Sequence, residues 1–161
     1  EVNQGQADDQ VRFLSRRQGY ALFLTSTEAV LTPARGSARQ TAIELPPTPA
    51  VLRMKLVGAG PATKSRGLDE LPGKVNYFTG NNPRNWRTNI STYAKVRYEG
   101  VYPGVDLIYY GNEGELEYDF VVGPGADPNV ISLGFEGADK LEVDAEGNLV
   151  VQTGSVQVIH R

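Results

Sequence analysis

Three carboxylates at alternating positions are the side chains of this sequence best suited to acid–base chemistry. They are Glu115, Glu117 and Asp119, within the segment ELEYDFVV. In a β-strand, residues two apart share one face and lie about 7 Å from each other, because each residue advances the strand by ~3.3 Å. Acid/base pairs of glycosidases use separations near this value. The spacing therefore makes the three acids candidate catalytic residues for glycan hydrolysis.

A solvated sheet face is the simpler interpretation of the same strand, and the one we favour. The order of the acids, Glu-x-Glu-x-Asp, differs from the Glu-x-Asp-x-x-Glu strand of jelly-roll glucanases. Lys95 and Arg97 alternate in the earlier segment TYAKVRY, from which they could meet the acids across a neighbouring strand. Such pairing would form a ladder of opposite charges and not an active site.

Trp86 and Tyr109 are candidate ligand-binding residues. Trp86 is the only tryptophan, and an exposed indole suits a sugar ring or a protein partner. A lone tryptophan among the polar residues of NNPRNWRTN is, however, more typical of a loop anchor, which is the interpretation we favour. Tyr109 belongs to a tyrosine-rich central region, where an exposed row would suit a polysaccharide or a protein and a buried row would serve cross-strand packing.

Asp144, Glu146 and Asn148 place oxygen ligands in one tight turn and are weak candidates for a calcium site. They match only the beginning of the EF-hand pattern, and hairpin tips use Asp, Gly and Asn for conformational reasons alone. The sequence has no cysteine and a single histidine, His160, which argues against thiolate and multi-histidine metal sites. We therefore expect no metal ion and no cofactor.

Composition narrows the class of protein further. The chain has 161 residues and a formal net charge of −3, which argues against nucleic acid or an anionic membrane as a partner. No apolar run approaches the length of a membrane span. The polar N-terminal segment EVNQGQADDQ carries no signal peptide as it stands. The length suits one ordinary domain with a core of its own.

Hydrophobic alternation with period two, cut by glycine and proline turns, predicts the fold. Roughly ten short strands with long irregular loops indicate an all-β protein, an antiparallel β-sandwich or a partly open barrel. Residues 33–50, rich in proline and small polar residues, are predicted to form a surface loop. Residues 58–91 are predicted to be irregular, with at most a short strand at VNYF. We expect one β-rich domain over residues 1–161.

Several segments together resemble a known family. They are YALFLTSTEAVL, LRMKLVGAGP, LDELPGKVNYFTGNNPRNWRTN, TYAKVRYEGVYPGVDLIYYGNEGELEYDFVVGPGADP and ISLGFEGADKLEVDAEGNLVV. The chain is similar to the N-terminal domain of SBBP-repeat proteins, large bacterial proteins in which such a domain precedes predicted β-propeller repeats. The resemblance implies export to the medium or the cell surface, a β-rich module and attachment to a longer polypeptide. It supplies no catalytic residues.

Two functions follow as expectations. The first is a non-catalytic extracellular module for adhesion, scaffolding or assembly; the alternative is a glycan-binding or glycan-hydrolysing sandwich that uses the acidic strand. The terminal segment SVQVIHR alternates like a strand, so we expect a fragment of a longer protein. The sheet edge near residues 155–161 would then be completed by the rest of the polypeptide or by a second chain.

Overall fold

A computed structural model describes residues 1–17, 20–33, 51–62, 64–112, 115–153 and 156–160. Most of the predicted surface loop, residues 34–50, lies outside these ranges. The strands are, in chain order, β1 (Phe13–Arg16), β2 (Tyr20–Leu24), β3 (Glu28–Pro33), β4 (Leu52–Leu56), β5 (Lys64–Tyr77), β6 (Arg87–Tyr102), β7 (Val105–Asn112), β8 (Glu115–Val122), β9 (Leu133–Glu136), β10 (Lys140–Val143), β11 (Leu149–Thr153) and β12 (Val156–His160). Short 3₁₀ turns occur at Pro83–Asn85 and Pro128–Val130.

The strands form antiparallel sheets in three groups. Sheet A has the order β1-β2-β3-β4-β9, sheet B the order β5-β6-β7-β8, and sheet C the order β10-β11-β12. The all-β prediction is confirmed, and the described strands form a sandwich and not a closed barrel. Within each sheet the neighbouring strands are consecutive in the chain and antiparallel, except that β9 pairs with β4.

The core lies between sheets A and B. Sheet A contributes a cross-strand row in which Phe13, Leu24, Ala29 and Met54 are paired in register. Sheet B presents buried residues of β6 and β7 to this row, and together they form one cluster: Tyr98, Val101, Tyr102, Val105, Leu107 and Tyr109. Alternation in β7 is clean, because every second residue is buried. Burying this apolar surface is the main stabilising contribution to the sandwich.

The hydroxyl of Tyr102 ties the two sheets together at one end of the core. It lies 3.1 Å from the carbonyl oxygen of Val57 and 2.9 Å from that of Ser132. Val57 follows β4 and Ser132 precedes β9, so a side chain of sheet B fixes two connections of sheet A. Tyr102 is buried, and its polar atom is satisfied by these bonds.

The region of residues 58–91 is more regular than the sequence predicts. Instead of a short strand at VNYF, β5 runs over fourteen residues and pairs with β6, which has sixteen. The pattern was missed because β5 contains Gly67, Pro72 and Gly73 and is exposed over much of its length. Irregularities between Leu71 and Lys74 accommodate the proline, as is usual at a sheet edge.

The first residues of the chain fasten the long β5–β6 hairpin to sheet A. Val2 bridges to Phe13 of β1, and its N–H donates to the carbonyl of Ser91 on β6. Beside this bridge, Tyr77 of β5 donates to the Glu1 carboxylate, while Arg16 of β1 donates to the Tyr77 hydroxyl. Burial, followed by the interaction with Glu1, raises the pKa of Tyr77 to about 12. The phenol therefore stays neutral and available as a donor throughout the physiological pH range.

Gly67 provides a direct test of how the β5–β6 hairpin packs. The ring of Tyr93 occupies the space where a side chain at residue 67 would lie, so a methyl group there would overlap the ring. We expect Gly67→Ala to lower the free energy of unfolding by about 1–3 kcal/mol, because the overlap forces strain into a packed site. Urea denaturation measures this change.

Gly73→Ala is the matched control for this experiment. It lies in the same strand, and a methyl group at residue 73 meets no other atom within 4 Å. We expect the control to unfold at the wild-type urea concentration or slightly above it. Equal losses in both variants would contradict the packing of Tyr93 on Gly67.

Candidate functional site

The acidic strand β8 presents its carboxylates on the outer face of sheet B, the face opposite the core. Tyr110 of β7 is paired in register with Glu117. Its hydroxyl donates to the Asp119 carboxylate at 3.2 Å and is also hydrogen-bonded to Glu117. Burial and these two acceptors raise the pKa of Tyr110. The acids therefore surround a neutral phenol, and the side chain of Glu115 lies outside the described residues.

Lys95 and Arg97 share this outer face but are one strand further from the acids than the simplest ladder requires. Strand β7 lies between β6 and β8, so Lys95 is opposite Tyr110 and Arg97 is opposite Ile108. The Lys95 ammonium lies 5.8 Å from the centre of the Tyr110 ring, a cation–π arrangement. The face is thus a network in which Tyr110 stands between the cation and the acids.

Arg97 pairs with Asp106 and not with the acids of β8. Its Nε and Nη2 donate to one carboxylate oxygen of Asp106, at 3.0 and 2.5 Å. The other oxygen accepts the N–H of Gly100 at 2.8 Å. Gly100 has a positive φ of 66° and lies in the irregular stretch where the β6–β7 register shifts. Asp106 therefore accepts the N–H of Gly100, a donor that the β6–β7 ladder does not pair where its register shifts.

Trp86 and Tyr109 occupy places quite different from each other. Trp86 follows the 3₁₀ turn beyond β5, is 37% exposed, and donates its indole N–H to the carbonyl of Gly80 at 3.1 Å. This bond and the edge-on packing against Phe78 make it an anchor of its own loop. Tyr109 is 4% exposed and faces the core, so the tyrosine that sheet B presents to solvent here is Tyr110.

A cleft of about 280 Å³ opens between sheets A and B, at the end where β7 finishes and β8 begins. Its lining is largely aromatic and aliphatic and includes Tyr20, Tyr93, Val96, Tyr109 and Leu116. Glu117 and Asp119 project from the opposite face of sheet B. Tyr110 also lines the cleft and so joins it to the acids, whereas Trp86 is not among the residues of the cleft.

The turn at Asp144 is held together by its own atoms. One oxygen of the Asp144 carboxylate accepts the N–H groups of Glu146 and Asn148, at 3.0 and 2.8 Å, and the other accepts the Asn148 side-chain amide. The amide and backbone donors of Asn148 hold the pKa of Asp144 below its usual value. In the ranges that the structure describes, no group of three or more acids or histidines is arranged to hold a metal ion.

Sequence reasoning missed two residues that organise the outer face, Tyr110 and Asp106. Their signal was present in the phase of β7: Val105, Leu107 and Tyr109 alternate as the buried set, which leaves Asp106, Ile108 and Tyr110 outside. The partners of Tyr110 and Asp106 could not be predicted from the sequence, because they depend on the strand order of the sheet.

Comparison with known families gives one result. The family DUF7948, a domain of unknown function, matches residues 1–161. The chain belongs to the DUF7948 family. Searches of curated proteins and of solved structures found no match to it. Over its described residues, this DUF7948 domain contains no helix with the length and apolar character of a membrane span.

The Arg97–Asp106 pair of the DUF7948 domain predicts a pH-dependent stability. Burial acts to raise the pKa of Asp106, but the bonds from Gly100 and Arg97 outweigh it and hold the pKa below the usual value. The carboxylate therefore stabilises the fold above about pH 3.9, the unfolded value, and this contribution is lost as the pH falls through the folded pKa. We expect Asp106→Asn to lower the free energy of unfolding by about 1 kcal/mol at pH 7.

The difference from wild type should shrink progressively below about pH 4, because the folded wild-type carboxylate becomes protonated as the pH falls through its lowered pKa. Urea titrations between acid and neutral pH measure it. Asp9→Asn, which removes an exposed carboxylate from the N-terminal segment, is the control and should change the free energy by less than about 0.5 kcal/mol. A deficit in Asp106→Asn that is constant with pH would contradict the charge-dependent pairing.

Proposed function

We propose that this domain is a non-catalytic structural and interaction module of a larger exported bacterial polypeptide, and that it precedes β-repeats in that polypeptide. It contributes to adhesion, scaffolding or assembly at the cell surface. The sequence resemblance to the N-terminal domain of SBBP-repeat proteins supports this context. The structural support comes from sheet C and from the arrangement of the acids.

The observation that carries the proposal is that sheet C exposes apolar side chains and has edge strands with one unpaired side in the described residues. Strand β10 is an edge strand, and two of its apolar side chains lie in water: Leu141 is 49% exposed and Val143 is 69% exposed. Register places both on the same face as Val151 of β11, which is fully buried. In the described residues, β12 at the other edge pairs with β11 alone. A sheet with exposed apolar residues and two open edges is suited to packing against another domain.

The geometry of the acids also favours a non-catalytic role. A glycosidase needs two carboxylates on opposite sides of the bond that is cleaved. Glu117 and Asp119 instead project side by side from one strand and share hydrogen bonds with the same phenol. Trp86, the aromatic residue that could stack on a sugar, lies in a different loop and faces Phe78. The carbohydrate alternative therefore has less support than the structural module.

Amide hydrogen exchange tests the proposal in the complete gene product and in the 161-residue chain alone. We expect amides of β10 and β12 to exchange at least tenfold more slowly in the complete product, because a neighbouring domain covers sheet C. Amides of β3, an interior strand of sheet A, should exchange alike in both proteins.

Two substitutions sharpen this test. Val143→Ser removes an exposed apolar group from the covered face and should reduce the extra protection several-fold. Glu142→Ser, at the adjacent position on the opposite face, should leave the protection unchanged. Equal exchange of sheet C in the two proteins would contradict the proposal.

A further inference from the structure

Strand β8 is an open edge of sheet B. It lies at the end of the sheet order, and in the part of the chain that the structure describes it pairs with β7 alone. All eight of its residues are paired with β7 without a register shift. A regular strand of this length turns a straight row of backbone N–H and C=O groups toward its free side, which is a template for another strand.

The opposite edge of sheet B is protected in the ways that sheet edges usually are. Strand β5 contains Pro72, has two register irregularities, and carries Asp69 with a positive φ of 54°. Lys64, Arg66 and Lys74 add charge to it. Proline, bulges and lysine all discourage the addition of a strand. Strand β8 contains no proline, glycine or lysine. One edge of sheet B is therefore protected against the addition of a strand, and the other is not.

The inner side of β8 presents partly exposed apolar side chains along its free edge. Leu116, Tyr118 and Phe120 alternate toward the core but are only half-buried, and among the described strands none of sheet B lies beyond them. At the end of the strand, Val122 lies on the same side and is 39% exposed. A further strand would cover the free flank of this row and gain apolar contact in addition to its backbone hydrogen bonds.

The outer side of the same edge sets the charge of the occupant. Glu117 and Asp119 alternate on it, so a strand laid beside β8 would bring its own alternate side chains opposite them. A second copy of β8 in antiparallel pairing would share the same outer face and would place acids against acids, which is destabilising. The edge therefore disfavours self-pairing and favours a basic strand.

We propose that the free edge of β8 binds an extended segment of another polypeptide in which Lys or Arg alternates with apolar residues, adding a strand to sheet B. The basic side chains lie on the outer face against Glu117 and Asp119. The apolar side chains lie on the inner face along Leu116, Tyr118 and Phe120. The backbone bonds supply affinity, and the alternation supplies specificity. This site is distinct from sheet C, and its existence does not depend on the function proposed above.

The test uses the 161-residue chain and a short capped peptide of alternating lysine and valine, labelled for fluorescence anisotropy. We expect the peptide to bind and to slow amide exchange along β8, while a peptide of alternating glutamate and valine does not bind. A lysine–valine peptide with a central proline should also fail, because it cannot complete the ladder. The backbone readout separates strand addition from loose electrostatic attraction.

Charge reversal on the protein completes the design. The double variant Glu117→Lys/Asp119→Lys should bind the lysine–valine peptide about tenfold more weakly, since two favourable cross-strand pairs become unfavourable. It should gain affinity for the glutamate–valine peptide, which also shows that the variant is folded. Glu142→Lys/Glu146→Lys, with the same charge change on sheet C, is the control and should bind as wild type does.

Four results would overturn the proposal. They are failure of the lysine–valine peptide to bind, binding that leaves exchange along β8 unchanged, an equal loss of binding in the sheet C control, and slow exchange of β8 through formation of a dimer of the chain. The last result would assign the edge to a second copy.

Discussion

The register of β6, β7 and β8 is the constraint on which the rest of this structure depends. Tyr98, Leu107 and Tyr109 must all face sheet A, because they fill the core against residues such as Phe13 and Met54. Side chains alternate with a period of two, so a shift of one residue would carry the buried set into water and the charged set into the core. Core packing thereby fixes the position of every charge on the outer face.

The charged side chains of that outer face are placed by the packing of the core, and they form specific pairs with one another. Arg97 is committed to Asp106 because the shifted ladder at Gly100 leaves a backbone donor that the carboxylate can accept. Glu117 and Asp119 of β8 are instead hydrogen-bonded to Tyr110. A charged strand results at the margin of the sheet, on the face opposite the core. An edge of this kind is suited to recognition of another backbone, and it lacks the opposed carboxylates of a hydrolase.

The sequence allowed the fold class and the phase of β8 to be predicted, because both depend on local alternation. It concealed the long β5, whose glycines, proline and charges carry no alternation; the pairing of that strand with β6 overrides its composition. It also led to Tyr109 and not Tyr110 as the candidate surface residue, although the alternation of β7 distinguishes the two. The expected contact of Lys95 with the acids depended on strand order, which no local pattern encodes, and β7 separates them.

Residue-resolved amide exchange of the free 161-residue chain tests most directly whether β8 is a regular edge strand whose phase is set by the core. Amides of β8 that point toward β7 should exchange orders of magnitude more slowly than their alternate neighbours, which point to water. This alternation should run along the strand without a break, since the register has none. Uniformly slow exchange from residue 115 to residue 122 would contradict the account, because the edge would then be covered within the chain itself.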